Sequence, residues 1–218
     1  MPNETSKMLL LYSGGMDSTV LLHQYKANIA LAVSFDYGSK NNAREIECAR
    51  ENCKALGIEH RVIDLAFINE HFKSSLLQSG ADIPDGCFEK EAIKSTVVPF
   101  RNGIMLSIAA GIAESNGLNA VLIANHFGDH AMYPDCRENF IKFFSAAVVN
   151  GTSNGVKILS PFCTIPKHEI ALMGRTLGID FTRTYSCYKG REHHCGVCPT
   201  CIERKEALAG FDPTQYEQ

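Results

Sequence analysis

Residues 9 to 22 read LLLYSGGMDSTVLL: two apolar runs separated by Ser13, Gly14, Gly15 and Asp17. Adjacent glycines let a backbone approach an anion closely, successive N–H groups can point at its oxygens, and a helix starting near Asp17 to Thr19 adds its positive end. Such a turn is a candidate phosphate cradle. It is neither a Walker loop nor a dinucleotide fingerprint, because Gly-Lys-Ser/Thr and G-x-G-x-x-G are both missing. Near the other end, CYKGREHHCGVCPTC sets Cys187-x7-Cys195-x2-Cys198-x2-Cys201. Four thiolates with overlapping C-x2-C spacings suit tetrahedral Zn²⁺. With every position filled by cysteine, no coordination site stays open for catalysis, so one structural zinc per chain is expected. His193 and His194 read as exposed loop residues. Cys48, Cys53, Cys87, Cys136 and Cys163 read as core or loop thiols.

These groups need elements to hold them. Aliphatic and β-branched runs recur at Met8 to Tyr12, Ile29 to Phe35, His60 to Leu65, Ala120 to Asn125 and Lys157 to Leu159. Between them lie helical stripes: Ala43, Ile46, Ala49, Cys53 and Leu56; then Ile104, Met105, Ile108 and Ile112; then Phe140, Ile141, Phe144 and Val148. Strand and helix in alternation imply a parallel sheet covered on both faces, since parallel neighbours need long crossovers. The expected fold class is α/β, a doubly wound open parallel sheet of about five strands with a small C-terminal four-cysteine zinc-binding element. Residues 1–182 form the α/β domain, with an insertion at about 66–98 that reads as a functional excursion or a surface insertion. Residues 183–218 form the zinc-binding element, and the stretch past Ala209 reads as a weakly held tail.

At 218 residues and 45% hydrophobic, the chain can bury one substantial core. Its net charge of −3 argues against non-specific binding to a nucleic-acid backbone, and no basic cluster is visible. Arg204 and Lys205 are flanked by Glu203 and Glu206, which cancel their field locally. The apolar stretch Met8 to Tyr12 is too short for a signal region, and no run reaches the length of a bilayer. A cytoplasmic protein with no membrane partner and reduced cysteines is the expectation.

The pattern Ser-Gly-Gly-x-Asp-Ser resembles the pyrophosphate loop of the PP-loop ATP pyrophosphatases. Taken together, YSGGMDSTV, SFDYGSKNNAREIE, STVVPFRNGIMLSIAAGIAES, YPDCRENFI, KHEIALMGRTLGI and YSCYKGREHHCGVCPTCIER resemble the 7-cyano-7-deazaguanine synthase family, the queuosine-pathway branch of that group. The resemblance implies an adenine-nucleotide alpha-hydrolase-like fold and a homodimer. It also implies ATP-dependent conversion of 7-carboxy-7-deazaguanine and ammonia to the nitrile, through an adenylated carboxylate and an amide. No direct contact with nucleic acid is implied. By the same resemblance the nucleotide-binding stretch comprises Tyr12, Ser13, Gly14, Gly15, Met16, Asp17, Ser18, Thr19, Val20, Leu21 and Leu22, with Ser13, Gly14, Gly15, Asp17, Ser18 and Thr19 at the β- and γ-phosphates. Asp17 cannot itself attract phosphate, so it binds bridging Mg²⁺ or caps the helix.

Arg101 begins a helix near a strand end, where it could grip phosphate or carboxylate. Lys167 stands at another helix start, where a cation is unfavourable unless an anion lies nearby. With Asp17 they form the candidate catalytic set. Asp36 and Tyr37 follow the second strand and suit the nucleotide. A deazaguanine offers an N–H and an amine on one edge, which a carboxylate can accept, so Asp129 and Asp135 are candidates. Tyr133 or Phe127 could stack on the ring, and Arg137 completes the YPDCR motif at the substrate. A tRNA thiolase, a homologue that attaches the activated base to a protein, and a zinc-ribbon binding module remain as alternative readings.

Overall fold

The computed structural model describes residues 7–86 and 94–217. Cys87 and the adjoining part of the expected insertion lie outside the described residues. Five strands form one sheet: β1 (Met8–Leu11), β2 (Ile29–Asp36), β3 (Glu59–Asp64), β4 (Ala120–Leu122) and β5 (Lys157–Leu159). Their order is β3-β2-β1-β4-β5, and every pairing is parallel. The α-helices that accompany them include α1 (Met16–Tyr25), α2 (Asn42–Leu56), α3 (Phe67–His71), α4 (Arg101–Ser115), α5 (Glu138–Gly151), α6 (Lys167–Thr176) and α7 (Pro199–Ala207).

Strand side chains alternate between two buried layers, as a sheet covered on both faces requires. Leu9, Leu31, Val33, Phe35 and Val121 pack with Met105, Leu106 and Ala109 of α4 and Ile141 of α5. Met8, Leu10, Ala32, Ala120 and Leu122 pack with Val20 and Leu21 of α1, Ala49 and Cys53 of α2, and Ile170 of α6. The doubly wound architecture expected from the alternating runs is therefore present. After β3 the chain returns to lay β4 against the opposite side of β1, which makes the crevice beyond β1 and β4 the topological switch point where open α/β sheets bind ligands. No helix among the described residues is long and apolar enough to cross a membrane.

Several local expectations need correction. Ala43 is exposed rather than on the buried stripe of α2. Asn42 takes the inward place: its Oδ1 accepts the N–H groups of Tyr37 and Ser39 at 3.0 and 3.1 Å, and its Nδ2 donates to the Phe35 carbonyl at 2.9 Å. β4 stops at Leu122 instead of reaching Asn125, whose amide donates across the crevice to the Cys136 carbonyl at 2.6 Å. The insertion is no mere surface addition. Its Ile68, Leu76, Leu77 and Ile83 join the core, and Lys40 clamps it through the carbonyls of Ser75 and Ala81 at 2.8 and 2.5 Å.

The C-terminal segment is held firmly. His194 is buried with its Nε2 accepting the Ser186 N–H at 3.1 Å, so only His193 is the exposed member of that pair. Tyr216 packs edge-on to His194, and the Lys205 ammonium lies 4.4 Å over the Tyr216 ring. Arg204 is no surface charge: it is 1% exposed and donates to Thr214 Oγ1 (2.8 Å), Ser186 Oγ (3.0 Å) and the Phe181 carbonyl (2.7 Å). One side chain thus ties α7 to the tail and to the segment entering the cysteine cluster. Arg204→Ala would strand one buried acceptor, the Phe181 carbonyl, and two half-buried hydroxyls, together costing on the order of 3 kcal/mol. We expect urea unfolding to show a loss of about 3 kcal/mol with an unchanged slope. A loss below about 1 kcal/mol would contradict this account of the tail.

Candidate active site

The glycine loop follows β1 and rests on the backbone of α2. Gly14 adopts φ +88°, and a Cβ there would lie 2.1 Å from the Glu45 carbonyl oxygen, so only glycine fits. α1 then starts at Met16 with Gly15 as its cap. Ser13 Oγ accepts the Gly15 N–H at 3.1 Å, while the hydroxyls of Ser18 and Thr19 donate to the Gly15 carbonyl at 3.1 and 2.8 Å. The Tyr12 and Thr19 hydroxyls share a buried hydrogen bond of 3.0 Å. Of the expected stretch, Tyr12, Ser13 and Asp17 line a cavity of about 520 Å³, and Ser18 an adjoining one of about 190 Å³. Met16, Val20, Leu21 and Leu22 do not reach either cavity, because the helix turns them into the core.

Lys167, first residue of α6, sits between carboxylates: its Nζ is 3.2 Å from Asp17 Oδ2 and 2.7 Å from Glu203 Oε2. Burial and the helix dipole both oppose a cation here. Asp17 and Glu203 more than offset them, and the Lys167 pKa is raised above its ordinary value. The other Asp17 oxygen, Oδ1, is buried with no hydrogen-bond partner among the described residues. A bare carboxylate oxygen beside a phosphate-type loop fits a hard divalent cation such as Mg²⁺.

Across the cavity, Arg101 opens α4 directly after Phe100, which holds a left-handed φ of +52°. Arg101 Nη1 donates to the Tyr37 hydroxyl at 3.0 Å, and the guanidinium lies 5.6 Å over the Tyr37 ring. The Tyr133 and Tyr188 hydroxyls meet at 3.0 Å. Asp129 Oδ2 accepts the His126 N–H at 2.9 Å; burial pushes its pKa up, and His126 and Lys167 pull it back.

Four expected contacts lie elsewhere. Asp36 is exposed and closes its own turn by accepting the Gly38 N–H at 3.3 Å. Asp135 is buried outside the cavity walls, where its Oδ2 accepts the Asn102 N–H at 2.8 Å and serves the first turn of α4. Arg137 is exposed and donates to the His130 carbonyl at 3.0 Å. The Phe127 ring is exposed beside His130. Cys136 lines the smaller cavity and accepts from Asn102 Nδ2 at 3.1 Å; burial pushes its pKa up, so it stays a protonated, packed thiol.

Other walls were not read from the sequence. Leu76 comes from the insertion, and Tyr188, Glu203 and Glu206 from the cysteine element. Glu45 of α2 also lines the cavity, and burial pushes its carboxyl up to about 8 against the pull of Arg101 and a hydrogen bond from Asn41. Adjacency to a metal ligand was a usable signal for Tyr188 and Glu203, which follow Cys187 and Cys201 by one and two residues.

The four cysteine sulfurs lie within 4.8 Å of one another. Cys195 and Cys201 are 3.9 Å apart, and Cys187 and Cys198 are 4.0 Å apart. A tetrahedral ion with metal–sulfur bonds of about 2.3 Å needs sulfurs about 3.8 Å apart, so the set fits zinc. The backbone N–H groups of Cys195 and Cys198 point at Cys187 and Cys195 sulfurs at 3.4 and 3.3 Å, as thiolates favour.

Comparisons with known proteins agree with this arrangement. The family model described as "Queuosine biosynthesis protein QueC" matches residues 7–212. A 7-cyano-7-deazaguanine synthase of Porphyromonas gingivalis is 59% identical over 96% of this chain and 96% of its own length. Proteins of the same description from Desulfotalea psychrophila and Marinobacter nauticus are 53% and 42% identical, covering 95% and 98% of this chain and 97% and 99% of theirs. A loop and a cysteine cluster at the expected places, and a family match spanning almost every described residue, place this chain in the QueC family of queuosine biosynthesis proteins.

Proposed function

We propose that this chain is an ATP-dependent nitrile-forming C–N ligase that converts 7-carboxy-7-deazaguanine and ammonia into 7-cyano-7-deazaguanine. The observation that carries the reading is the glycine loop at the switch point, faced by Asp17, Lys167 and Arg101 in one cavity. A carboxylate becomes electrophilic once its oxygen is converted to a leaving group, and adenylation does this. Ammonia then yields the amide, and a second activation, of the amide oxygen, allows its loss as the nitrile.

Each residue has a task in that scheme. The Ser13–Ser18 loop holds the β- and γ-phosphates through its N–H groups and the Ser13 and Ser18 hydroxyls, while Thr19, 0% exposed, braces the loop through the Gly15 carbonyl and the Tyr12 hydroxyl. Mg²⁺ bound when the nucleotide enters would neutralise phosphate charge, and Asp17 Oδ1 is the oxygen that would hold it. Lys167 and Arg101 stabilise charge developing on departing pyrophosphate, more strongly here than in water. Tyr12 and Tyr37 flank the nucleotide. Asp129 accepts the N–H and amine of the deazaguanine edge, with Tyr133 against the ring. One zinc at Cys187, Cys195, Cys198 and Cys201 fixes the wall that carries Tyr188 and Glu203. By the family resemblance the protein acts as a cytoplasmic homodimer.

Mass spectrometry of purified protein with Mg-ATP, ammonium and 7-carboxy-7-deazaguanine tests the reading, with nucleotide products resolved in parallel. Free nitrile with ATP consumption is expected. ATP consumption without free nitrile would move the acceptor to a macromolecule, and absence of consumption would overturn the enzyme reading altogether.

A further inference from the structure

Glu45 lines the cavity yet takes no part in the steps above. Its place is set by the loop: the Glu45 carbonyl abuts Gly14, and its Oε1 lies 3.9 Å from where a Cβ of Gly15 would be. The carboxyl therefore stands beside the start of α1, next to the phosphate-binding backbone. Three of the other four cavity acids are tied down, and the fourth, Glu206, is exposed to solvent. Asp17 and Glu203 both pair with Lys167, and Asp129 accepts the His126 N–H.

The charged and titratable groups around Glu45 come from every neighbouring element. Arg44 and Cys48 share its helix, and Asn41 donates to it from the turn before. Asp17 belongs to the loop, Tyr37 to the end of β2 and Arg101 to α4; Tyr188 and Glu206 belong to the cysteine element. Burial outweighs the attraction of Arg101, which brings the carboxyl to about 8. A base is most effective when its pKa lies near the working pH.

Ammonia at neutral pH is mostly ammonium, a cation without a nucleophilic lone pair. It must lose a proton before it can attack. We propose that Glu45 is the general base of amide formation, taking a proton from ammonium beside the activated carbonyl. The step balances. One N–H pair of electrons becomes the lone pair of ammonia as the proton moves to the carboxylate. That lone pair forms the C–N bond, the acyl C–O bond breaks with its electrons going to AMP, and a second proton leaves the nitrogen for solvent. The inference rests on the function proposed above.

Glu45→Gln tests it. In the wild type, 7-carboxy-7-deazaguanine-dependent exchange between ATP and pyrophosphate, without ammonium, reports adenylation; its absence would sink the parent reading and leave Glu45 without this role. Where the wild type exchanges, E45Q should exchange equally. Its kcat/KM for ammonium should fall about 100-fold or more at pH 7. The deficit should close at high pH, where free ammonia predominates. Hydroxylamine, uncharged at pH 7, should give hydroxamate at similar rates with both proteins. An equal loss with both nucleophiles, or no loss with ammonium, would overturn the proposal. Should E45Q not fold, E45D reads the same quantity: its ammonium-to-hydroxylamine rate ratio must drop at pH 7, and an unchanged ratio refutes the base.

Discussion

Cys198→Ser should lose zinc and cooperative folding together. Cys198 and its three partners are buried in the same cluster as Leu9, Leu31 and Val121, so the metal site is continuous with the sheet's core rather than appended to it. Structural zinc contributes apparent free energies of about 10–16 kcal/mol, as large as the 5–15 kcal/mol that holds a typical domain together. Without the cation the remaining cysteines take up protons and become neutral thiols, so nothing replaces the metal's cross-link between them. Elemental analysis should show one zinc per wild-type chain and almost none in the variant. The melting temperature should fall by more than about ten degrees or the transition should vanish. The cavity would lose Tyr188 and Glu203 from its wall, so nucleotide binding should fall with the metal. Retained zinc with an unchanged melting temperature would contradict the structural role.

The parts that could be read from the sequence are those whose signal is local. β1 and β2 are short apolar runs buried on both faces, and their limits, like those of β5, agree with the runs to within one residue. The glycine loop and the cysteine spacing are equally local, because a close approach and a tetrahedral site each need particular residues at particular offsets. What the sequence hid depends on tertiary approach. Glu45 sits on an amphipathic helix at a position that reads as solvent-facing, and only the contact of Gly14 with the α2 backbone turns it into the cavity. Arg204 lies among Glu203, Lys205 and Glu206, and nothing in that pattern says which of the four is buried. Asp135 shows the reverse error: an acid in a motif looked like a substrate contact, whereas the Asn102 N–H at the start of α4 claims it. A helix terminus and a ligand place the same demand on a carboxylate, so residue type alone cannot separate them.

Asp17→Ala should abolish turnover, by on the order of 10³-fold or more, while leaving fold and zinc in place. The carboxylate has two roles in the cavity, pairing with Lys167 through Oδ2 and presenting a bare Oδ1. The variant removes both the oxygen that would hold Mg²⁺ and one of the two anions that place Lys167. Stability should change little. Lys167 keeps Glu203 at 2.7 Å, so no buried cation is stranded, and loss of an unsatisfied buried oxygen offsets loss of the pair. Lys167→Met makes the opposite case: it leaves Asp17 and Glu203 facing each other with Asp129 nearby, so it should cost both activity and melting temperature. Measuring turnover, melting temperature and zinc content on both variants separates the effects. Wild-type turnover in D17A would remove the acid from the mechanism. Collapse of its fold would instead make the Asp17–Lys167 pair a structural strut, which the three-carboxylate surround of Lys167 argues against.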